Sequence, residues 1–316
     1  MTSRPLVDPE LYPLIDSVPD FALTRDNLPA IRALSDGRLD HLPDVPLAYR
    51  RAEAPGAAGA PAVPLLVFAP EGERRRPAML YIHGGGMVMG TAHGFRRGPA
   101  LTALALDMLV VSVDYRLAPE TPFPGPQEDC YAALCWLTDQ AEALGIDPAR
   151  ILIAGESAGG GLAAAVAQMA RDRGGPALAG QLLTYPMLDH RTGGPACVWR
   201  NPVCGEFMWT AARNQFGWDA LRGDYAVDDA RRGWFSPALA DTLAGLPPTV
   251  LLTGSLDLFF DENIDYARRL VAAGVPVEFT SYAGAVHGFQ MMAGSRVAKA
   301  YARDYLDAAR RLAGMV

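Results

Sequence analysis

The sequence predicts an α/β fold in which a mostly parallel central sheet is covered by helices on both faces. Short apolar runs rich in Val, Ile, Leu and Tyr alternate with longer Ala-rich stretches that have helical periodicity. The chain contains 316 residues, of which 50% are hydrophobic, so it can bury a large core. One large domain, or one domain with a lid, is therefore expected.

Strands and helices can be assigned from this alternation. Strands are predicted at 64–68, 78–82, 108–113, 150–154, 180–184, 249–253 and 277–282. Helices are predicted at 94–106, 128–144, 158–172, 261–273 and 295–312. A short low-complexity segment, residues 55–61, is interpreted as a turn between antiparallel edge strands.

Two regions interrupt the alternation. Residues 1–45 are punctuated by Pro and Asp, and one helix is expected there near 27–34. Residues 188–236 run long between two predicted strands. An excursion of this length inside an α/β domain is typical of a lid or cap. It contains four tryptophans, which are interpreted mainly as packing of this segment; they are Trp199, Trp209, Trp218 and Trp234.

Charge and cysteine content exclude several classes of protein. Lys plus Arg number 28 and Asp plus Glu number 35, giving a net charge of -7. Because this charge repels phosphate backbones and anionic membrane surfaces, we expect no nucleic-acid partner and no stable membrane association. Nothing reads as a signal peptide or a membrane span, so a cytoplasmic protein is expected. The cysteines show no C-x-x-C spacing and predict no disulfide framework; they are Cys130, Cys135, Cys197 and Cys204.

A candidate nucleophile lies at Ser157. Residues 151–161 place an apolar strand, then Gly-x-Ser-x-Gly, then an Ala-rich helix, which is the context of a nucleophile elbow. The serine backbone is strained in such a turn, and Gly155 and Gly159 lack side chains that would collide with neighbouring elements. Ser157 Oγ is then expected to stand exposed above the sheet, where the helix dipole favours developing negative charge. The alternative is a glycine-rich turn with a merely capping serine.

A second glycine motif directly follows the predicted strand 78–82. It reads His83-Gly84-Gly85-Gly86. Consecutive glycines let backbone amides turn toward a substrate oxygen, and the amide of Ala158 would supply a further donor. His83 is interpreted as a structural residue that shapes this loop. Either motif alone could be an ordinary turn, but the two together favour acyl-transfer chemistry.

The general base must come from few candidates. His287 lies in a loop after the predicted strand 277–282, where open α/β sheets hold their site residues. His41 and His93 lack such a placement and are interpreted as satisfied or solvent-facing. His190 lies in the presumed cap and could line the pocket.

Asp257 is the preferred acid. It follows the predicted strand 249–253 and a turn glycine, so its carboxylate can accept a hydrogen bond from His287 and fix the tautomer of that imidazole. The competing acids fall where a helix begins and are expected to serve capping and the dipole; they are Asp261, Glu262 and Asp265. The chain order Ser, Asp, His is that of α/β-hydrolases.

These motifs resemble the hormone-sensitive-lipase family of α/β-hydrolases, also called bacterial family IV esterases. The resemblance rests on the His-Gly-Gly-Gly motif, on residues 113–124, on Gly-Glu-Ser-Ala-Gly-Gly at 155–160, and on Asp257 and residues 287–289. It implies an α/β-hydrolase fold with a helical cap. Residues 1–45 and 188–236 would form the cap, around a core of 46–187 and 237–316. It also implies a functional set consisting of nucleophile Ser157, acid Asp257, base His287, and an oxyanion hole built from the amides of Gly85, Gly86 and Ala158.

The sequence departs from the family pattern at several positions. Glu156 precedes the nucleophile where the family usually has Asp or Thr, Gly161 stands where Asn is common, and Leu258-Phe259 replaces Pro-Leu. None of these changes removes a reacting group. Glu156 is expected in a polar network behind the elbow. Arg116 is interpreted as scaffold that holds the loop behind the oxyanion glycines by pairing with Asp114, Glu120, Glu128 or Asp129.

The resulting hypothesis is a cofactor-independent serine carboxylesterase that acts on small-molecule esters with short- to medium-chain acyl groups. No metal is expected, since the His and Cys cluster of a zinc site is missing. Alternatives keep the triad and cleave lactones, amides, thioesters or carbamates, or transfer the acyl group to an alcohol. A different class is a non-catalytic small-molecule receptor on the same fold, such as the gibberellin receptors, which resemble this family but lack the triad histidine. A homodimer is expected by analogy with such families.

Overall fold

The central sheet is built as the sequence predicts. The computed structural model describes residues 2–18, 22–40, 47–72 and 75–315, with the backbone alone at 35–40. In these residues the strands are β1 (Tyr49–Ala54), β2 (Val63–Phe68), β3 (Arg76–Ile82), β4 (Leu109–Val113), β5 (Ile146–Glu156), β6 (Gly180–Thr184), β7 (Thr249–Gly254) and β8 (Val277–Tyr282). They form one sheet in the order β1-β2-β4-β3-β5-β6-β7-β8. Strand β2 is antiparallel to β1 and β4, and the remaining pairs are parallel. The predicted fold class and the hairpin around residues 55–61 are confirmed.

The helices differ from the predictions mainly at their ends. They are α1 (Tyr12–Ser17), α2 (Leu28–Asp40), α3 (Arg97–Leu106), α4 (Gly125–Asp139), α5 (Ala158–Asp172), α6 (Ala211–Arg222), α7 (Arg232–Phe235), α8 (Phe260–Ala272) and α9 (Arg296–Leu312). Helix α4 begins and ends earlier than the predicted 128–144. Pro126 near its start fits a first helical turn, and the turns that follow the helix close at Gly145, which has a φ of 64°.

Helices cover both faces of the sheet. Ile153 of β5 and Leu162 of α5 belong to one buried cluster, which also receives α4 and α8. Leu152 of β5 and Ala308 of α9 belong to a second cluster on the opposite face, shared with α3. Adjacent residues of one strand thus enter different clusters, because successive side chains of a strand point to opposite faces. Residues 151–154 of β5 are therefore buried on both sides, which explains their uninterrupted apolar run.

The long excursion between β6 and β7 contains α6 and α7. The N-terminal segment contacts this excursion through Ser3, whose hydroxyl donates to Glu206 at 2.6 Å. It also contacts the loop after β8, where the amide of Asp8 donates to the carbonyl of Gly284 at 3.0 Å. Among the described residues, no helix is both long enough and apolar enough to cross a membrane.

The topology brings the predicted functional residues to one edge. Strands β3, β5, β7 and β8 run parallel, so their carboxyl ends meet at the same edge of the sheet. Segment 83–86 follows β3, Ser157 follows β5, Asp257 lies three residues beyond β7, and His287 lies five residues beyond β8. Ligands of open α/β sheets bind at this edge.

Candidate active site

Ser157 sits in a tight turn between β5 and α5. Its φ of 56° and ψ of -122° fall outside the regions that side-chain-bearing residues prefer, at a cost of roughly 1–3 kcal/mol. A Cβ added to Gly155 would overlap the carbonyl oxygen of Gly159, and a Cβ added to Gly159 would overlap that of Ile82. Strand β5, helix α5 and the end of β3 therefore approach one another closely at these two glycines, where no side chain separates their backbones. Ser157 is only 5% exposed, so the expectation of an openly exposed hydroxyl is wrong.

The three predicted triad residues are joined by hydrogen bonds. The distance from His287 Nε2 to Ser157 Oγ is 2.9 Å, and that from His287 Nδ1 to Asp257 Oδ2 is 2.8 Å. Asp257 is fully buried, and its other oxygen accepts the amide of Phe259 at 2.9 Å. Because an ionised carboxylate only accepts hydrogen bonds, Nδ1 carries the imidazole proton and leaves Nε2 free to accept from the serine. The arrangement can therefore remove a proton from Ser157 Oγ.

The glycine loop after β3 lies beside the serine. A Cβ added to Gly84 would lie 3.4 Å from Ser157 Cβ. Gly85 and Gly86 have φ values of 121° and 61°, which residues with side chains rarely adopt. Within the described ranges, the amides of Gly85, Gly86 and Ala158 donate no hydrogen bond to a backbone carbonyl. These amides are the ones predicted from the sequence to form the oxyanion hole.

His83 lies behind this loop. It is fully buried, and its ring stacks on Tyr115 with centroids 4.3 Å apart. Its Nδ1 donates to the carbonyl of Gly84 at 2.8 Å, since a carbonyl can only accept. Burial lowers the pKa of His83 to about 4, so the ring is neutral at pH 7. These contacts support the interpretation of His83 as a residue that shapes the loop.

Glu156 forms the expected polar network, with partners that were not predicted from the sequence. One oxygen accepts from Tyr81 Oη at 3.0 Å, and the other accepts from Tyr185 Oη at 3.2 Å and from Gln290 Nε2 at 2.8 Å. Burial raises the pKa of this carboxyl, and the three donors oppose the rise. The ring of Tyr185 also packs 4.4 Å from that of His287. Two of the three partners could have been predicted from the sequence, because Tyr185 directly follows β6 and Gln290 stands three residues after His287.

The other histidines lie outside the hydrogen-bonded triad. His190 packs against Phe235 with ring centroids 5.5 Å apart, and burial lowers its pKa. His93 is exposed, and its Nδ1 lies 3.0 Å from Tyr49 Oη. His41 falls outside the described residues.

The competing acids occupy helical positions, as expected. Glu262, however, is buried and accepts the amide of Leu188 at 2.7 Å, so its expected role in capping the helix is wrong. Asp261 and Glu262 lie in the first turn of α8, and Asp265 pairs with Arg268 of the same helix. Arg116 binds Asp129 through two nitrogens, at 2.8 and 2.7 Å, and so selects one of its four candidate partners.

The comparisons with known proteins agree with this architecture. Residues 79–291 match the family described as the alpha/beta hydrolase fold, and the chain belongs to that family. Esterase LipI of Mycobacterium tuberculosis is 35% identical over 309 residues, which cover 92% of this chain and 90% of that protein. Carboxylesterase NlhH of the same organism is 36% identical over 308 residues, covering 91% and 90%. A solved bacterial heroin esterase has a TM-score of 0.89 and 38% identity, covering 98% of this chain and 99% of that one.

The resemblance to the hormone-sensitive-lipase type of α/β-hydrolase is thereby confirmed. These relatives are named as esterases, and they match the chain over nearly its full length. The chain is accordingly a carboxylic ester hydrolase.

Proposed function

We propose that the chain hydrolyses small-molecule esters with short- to medium-chain acyl groups through an acyl-enzyme on Ser157. The observation that carries the proposal is the unbroken relay from Ser157 Oγ through His287 to the buried Asp257, with hydrogen bonds of 2.9 and 2.8 Å. A nucleophile, a base and an orienting acid in hydrogen-bond contact define the arrangement for nucleophilic acyl transfer.

Acylation begins when Ser157 Oγ attacks the ester carbonyl carbon and His287 Nε2 takes the hydroxyl proton. The carbonyl π pair moves to its oxygen, and the resulting oxyanion accepts hydrogen bonds from the amides of Gly85, Gly86 and Ala158. The tetrahedral intermediate collapses, the bond to the alcohol oxygen breaks, and His287 gives its proton to that oxygen. Asp257 stays ionised and stabilises the imidazolium.

Deacylation repeats these steps with water. His287 removes a proton from a water molecule while the water oxygen attacks the acyl carbon. The bond between the acyl carbon and Ser157 Oγ then breaks, and His287 returns the proton to the serine. The products are the carboxylic acid and the regenerated enzyme. Each proton is carried by His287, so the reaction balances without a metal or an organic cofactor.

The segment 188–236, together with residues 1–45, is proposed as the cap that shapes the substrate pocket. Trp209 of this cap is buried, and its ring centroid lies 6.3 Å from that of His287. A large ring beside the base leaves less room for an acyl chain, which favours short and medium chains. The homodimer and the cytoplasmic location remain predictions from sequence.

Hydrolysis of p-nitrophenyl esters from acetate to palmitate, by wild type and by Ser157→Ala, tests the proposal. We expect turnover of the shorter esters by wild type and none above background by the variant. Turnover that survives in Ser157→Ala would refute the assigned nucleophile. Folded wild type that cleaves no ester in the series, and that a fluorophosphonate leaves unlabelled, would favour the receptor alternative.

A further inference from the structure

The cap segment, residues 188–236, contacts Gly86 of the glycine loop at two points. A Cβ added to Gly86 would overlap Cη2 of Trp209 and lie 2.6 Å from its Cζ2, so the indole rests directly against the Gly86 α-carbon. A Cβ added to Gly217 of α6 would lie 2.6 Å from the carbonyl oxygen of Gly86. The backbone of α6 therefore lies close to the carbonyl group of the same residue.

The two contacts come from residues that are linked by hydrogen bonds. Trp209 Nε1 donates to Asn214 Oδ1 at 3.3 Å, and Asn214 is fully buried in the first turns of α6. Asn214 in turn donates through Nδ2 to the carbonyl of Thr192 at 2.7 Å. Gly217 lies three residues after Asn214, hence on the same side of the helix. The Trp209 side chain is therefore linked by a hydrogen bond to the helix that carries Gly217.

Gly86 is a residue that needs such support. Its φ is 61°, and that of the preceding Gly85 is 121°. The peptide bond between them joins two glycines, which have no side chains to restrict it. Glycine moves between backbone conformations with little steric penalty, and a rotation here would change the direction of the Gly86 amide. Contacts at the Gly86 α-carbon and carbonyl restrict that rotation.

We propose that Trp209 and Gly217 are positioning residues that hold the Gly86 amide in the direction needed to stabilise the oxyanion. The proposal rests on the proposed function, in which that amide is an oxyanion donor. It gives the cap a part in the chemical step in addition to shaping the pocket. A glycine is needed at 217 because any side chain would separate α6 from the loop.

The substitution Gly217→Ala tests this directly. Alanine is the better helix former, so a role confined to the helix predicts an equal or more stable enzyme. The added methyl would instead lie 2.6 Å from the Gly86 oxygen, where ordinary contact begins at 3.4 Å, so the loop must shift. Shifts of this size at reacting groups reduce rates strongly, and we expect kcat for p-nitrophenyl acetate to fall by about 10- to 100-fold.

The matched control is Gly98→Ala. Gly98 is also a helical glycine, in α3, but a Cβ there would meet no atom within 4 Å. We expect this variant to keep the wild-type kcat. Trp209→Ala, which removes the other contact, is a second variant and should also lower kcat.

A trifluoromethyl ketone separates loss of oxyanion binding from general damage, because its adduct with a serine carries an oxyanion. In Gly217→Ala its Ki should rise by about the same factor as kcat/KM falls. An unchanged kcat and Ki, or a change confined to KM, would overturn the proposal. If wild type cleaves the ester and Ser157→Ala does not, that failure belongs to the positioning proposal alone. Activity that survives Ser157→Ala would instead refute the proposed function.

Discussion

Asp257→Asn is the substitution whose effect the structure defines most closely. Asp257 is fully buried and uses its two oxygens for different partners, one for the amide of Phe259 at 2.9 Å and one for His287 Nδ1 at 2.8 Å. Asparagine has the same shape but offers one acceptor and one NH₂ donor. It can therefore satisfy only one of these two N–H groups with its oxygen.

The two orientations of the amide set the magnitude. With its oxygen toward Phe259, the NH₂ group faces Nδ1 of His287, and the proton must move to Nε2, where it blocks acceptance from Ser157. Loss of the base by this route costs up to about 10⁴-fold, or about 5.4 kcal/mol. With its oxygen toward His287, the base survives, but the buried Phe259 amide faces a donor. That mismatch costs about 1–3 kcal/mol, so the productive orientation is depleted by about 5- to 150-fold.

We therefore expect kcat/KM for a short p-nitrophenyl ester to fall by at least about 5-fold and by up to about 10⁴-fold. The variant should stay folded by circular dichroism because the substitution preserves shape. Asp261→Asn is the control, since Asp261 lies in the first turn of α8 and should leave the rate within about twofold. Near wild-type activity in Asp257→Asn, or a large loss in Asp261→Asn, would refute the assignment of the acid.

Three further results are expected. Burial raises the pKa of Glu156 above its unfolded value, so its contribution to stability is present at low pH and is lost as pH rises from about 4.3. The melting temperature of Glu156→Gln minus that of wild type should therefore increase between pH 4 and 7. A difference that stays constant over this range would argue against a raised pKa for Glu156. Gly159→Ala should lose about 1–3 kcal/mol in denaturant unfolding, because its methyl overlaps the Ile82 carbonyl, and unchanged stability would count against the close approach. Finally, kcat/KM of His287→Gln should fall by about 100-fold or more, because the proton acceptor 2.9 Å from Ser157 Oγ is lost, and near wild-type activity would argue against a histidine base.

Local sequence chemistry was enough to predict the parallel strands and the placement of the candidate triad. Strands such as β6 and β8 were predicted to the residue because their apolar runs are bounded by turn residues. Ser157, Asp257 and His287 were predictable because each follows a strand that ends at the same edge. Strand β5 was predicted to start at 150 and starts at Ile146. Pro148 interrupts the apolar pattern, and a register shift against β3 accommodates the extra length.

The contacts between distant segments could not be predicted from sequence. Trp209 was one of four tryptophans in residues 188–236, and nothing in its neighbours distinguishes the ring that rests on Gly86. The need for glycine at 217 is equally hidden, because it arises from a backbone more than a hundred residues away in sequence. The exposure of Ser157 was overestimated, since the strained turn alone does not show how closely the surrounding chain approaches.

The most direct test of the central claim is the position of a covalent adduct. Wild type should be treated with a fluorophosphonate and digested, and the modified residue identified by mass spectrometry. We predict one adduct per chain, on Ser157, formed much more slowly in a His287→Gln variant because the proton acceptor at 2.9 Å is lost. Ester hydrolysis by a protein that remains unlabelled at Ser157, or that is labelled at another residue, would contradict the account.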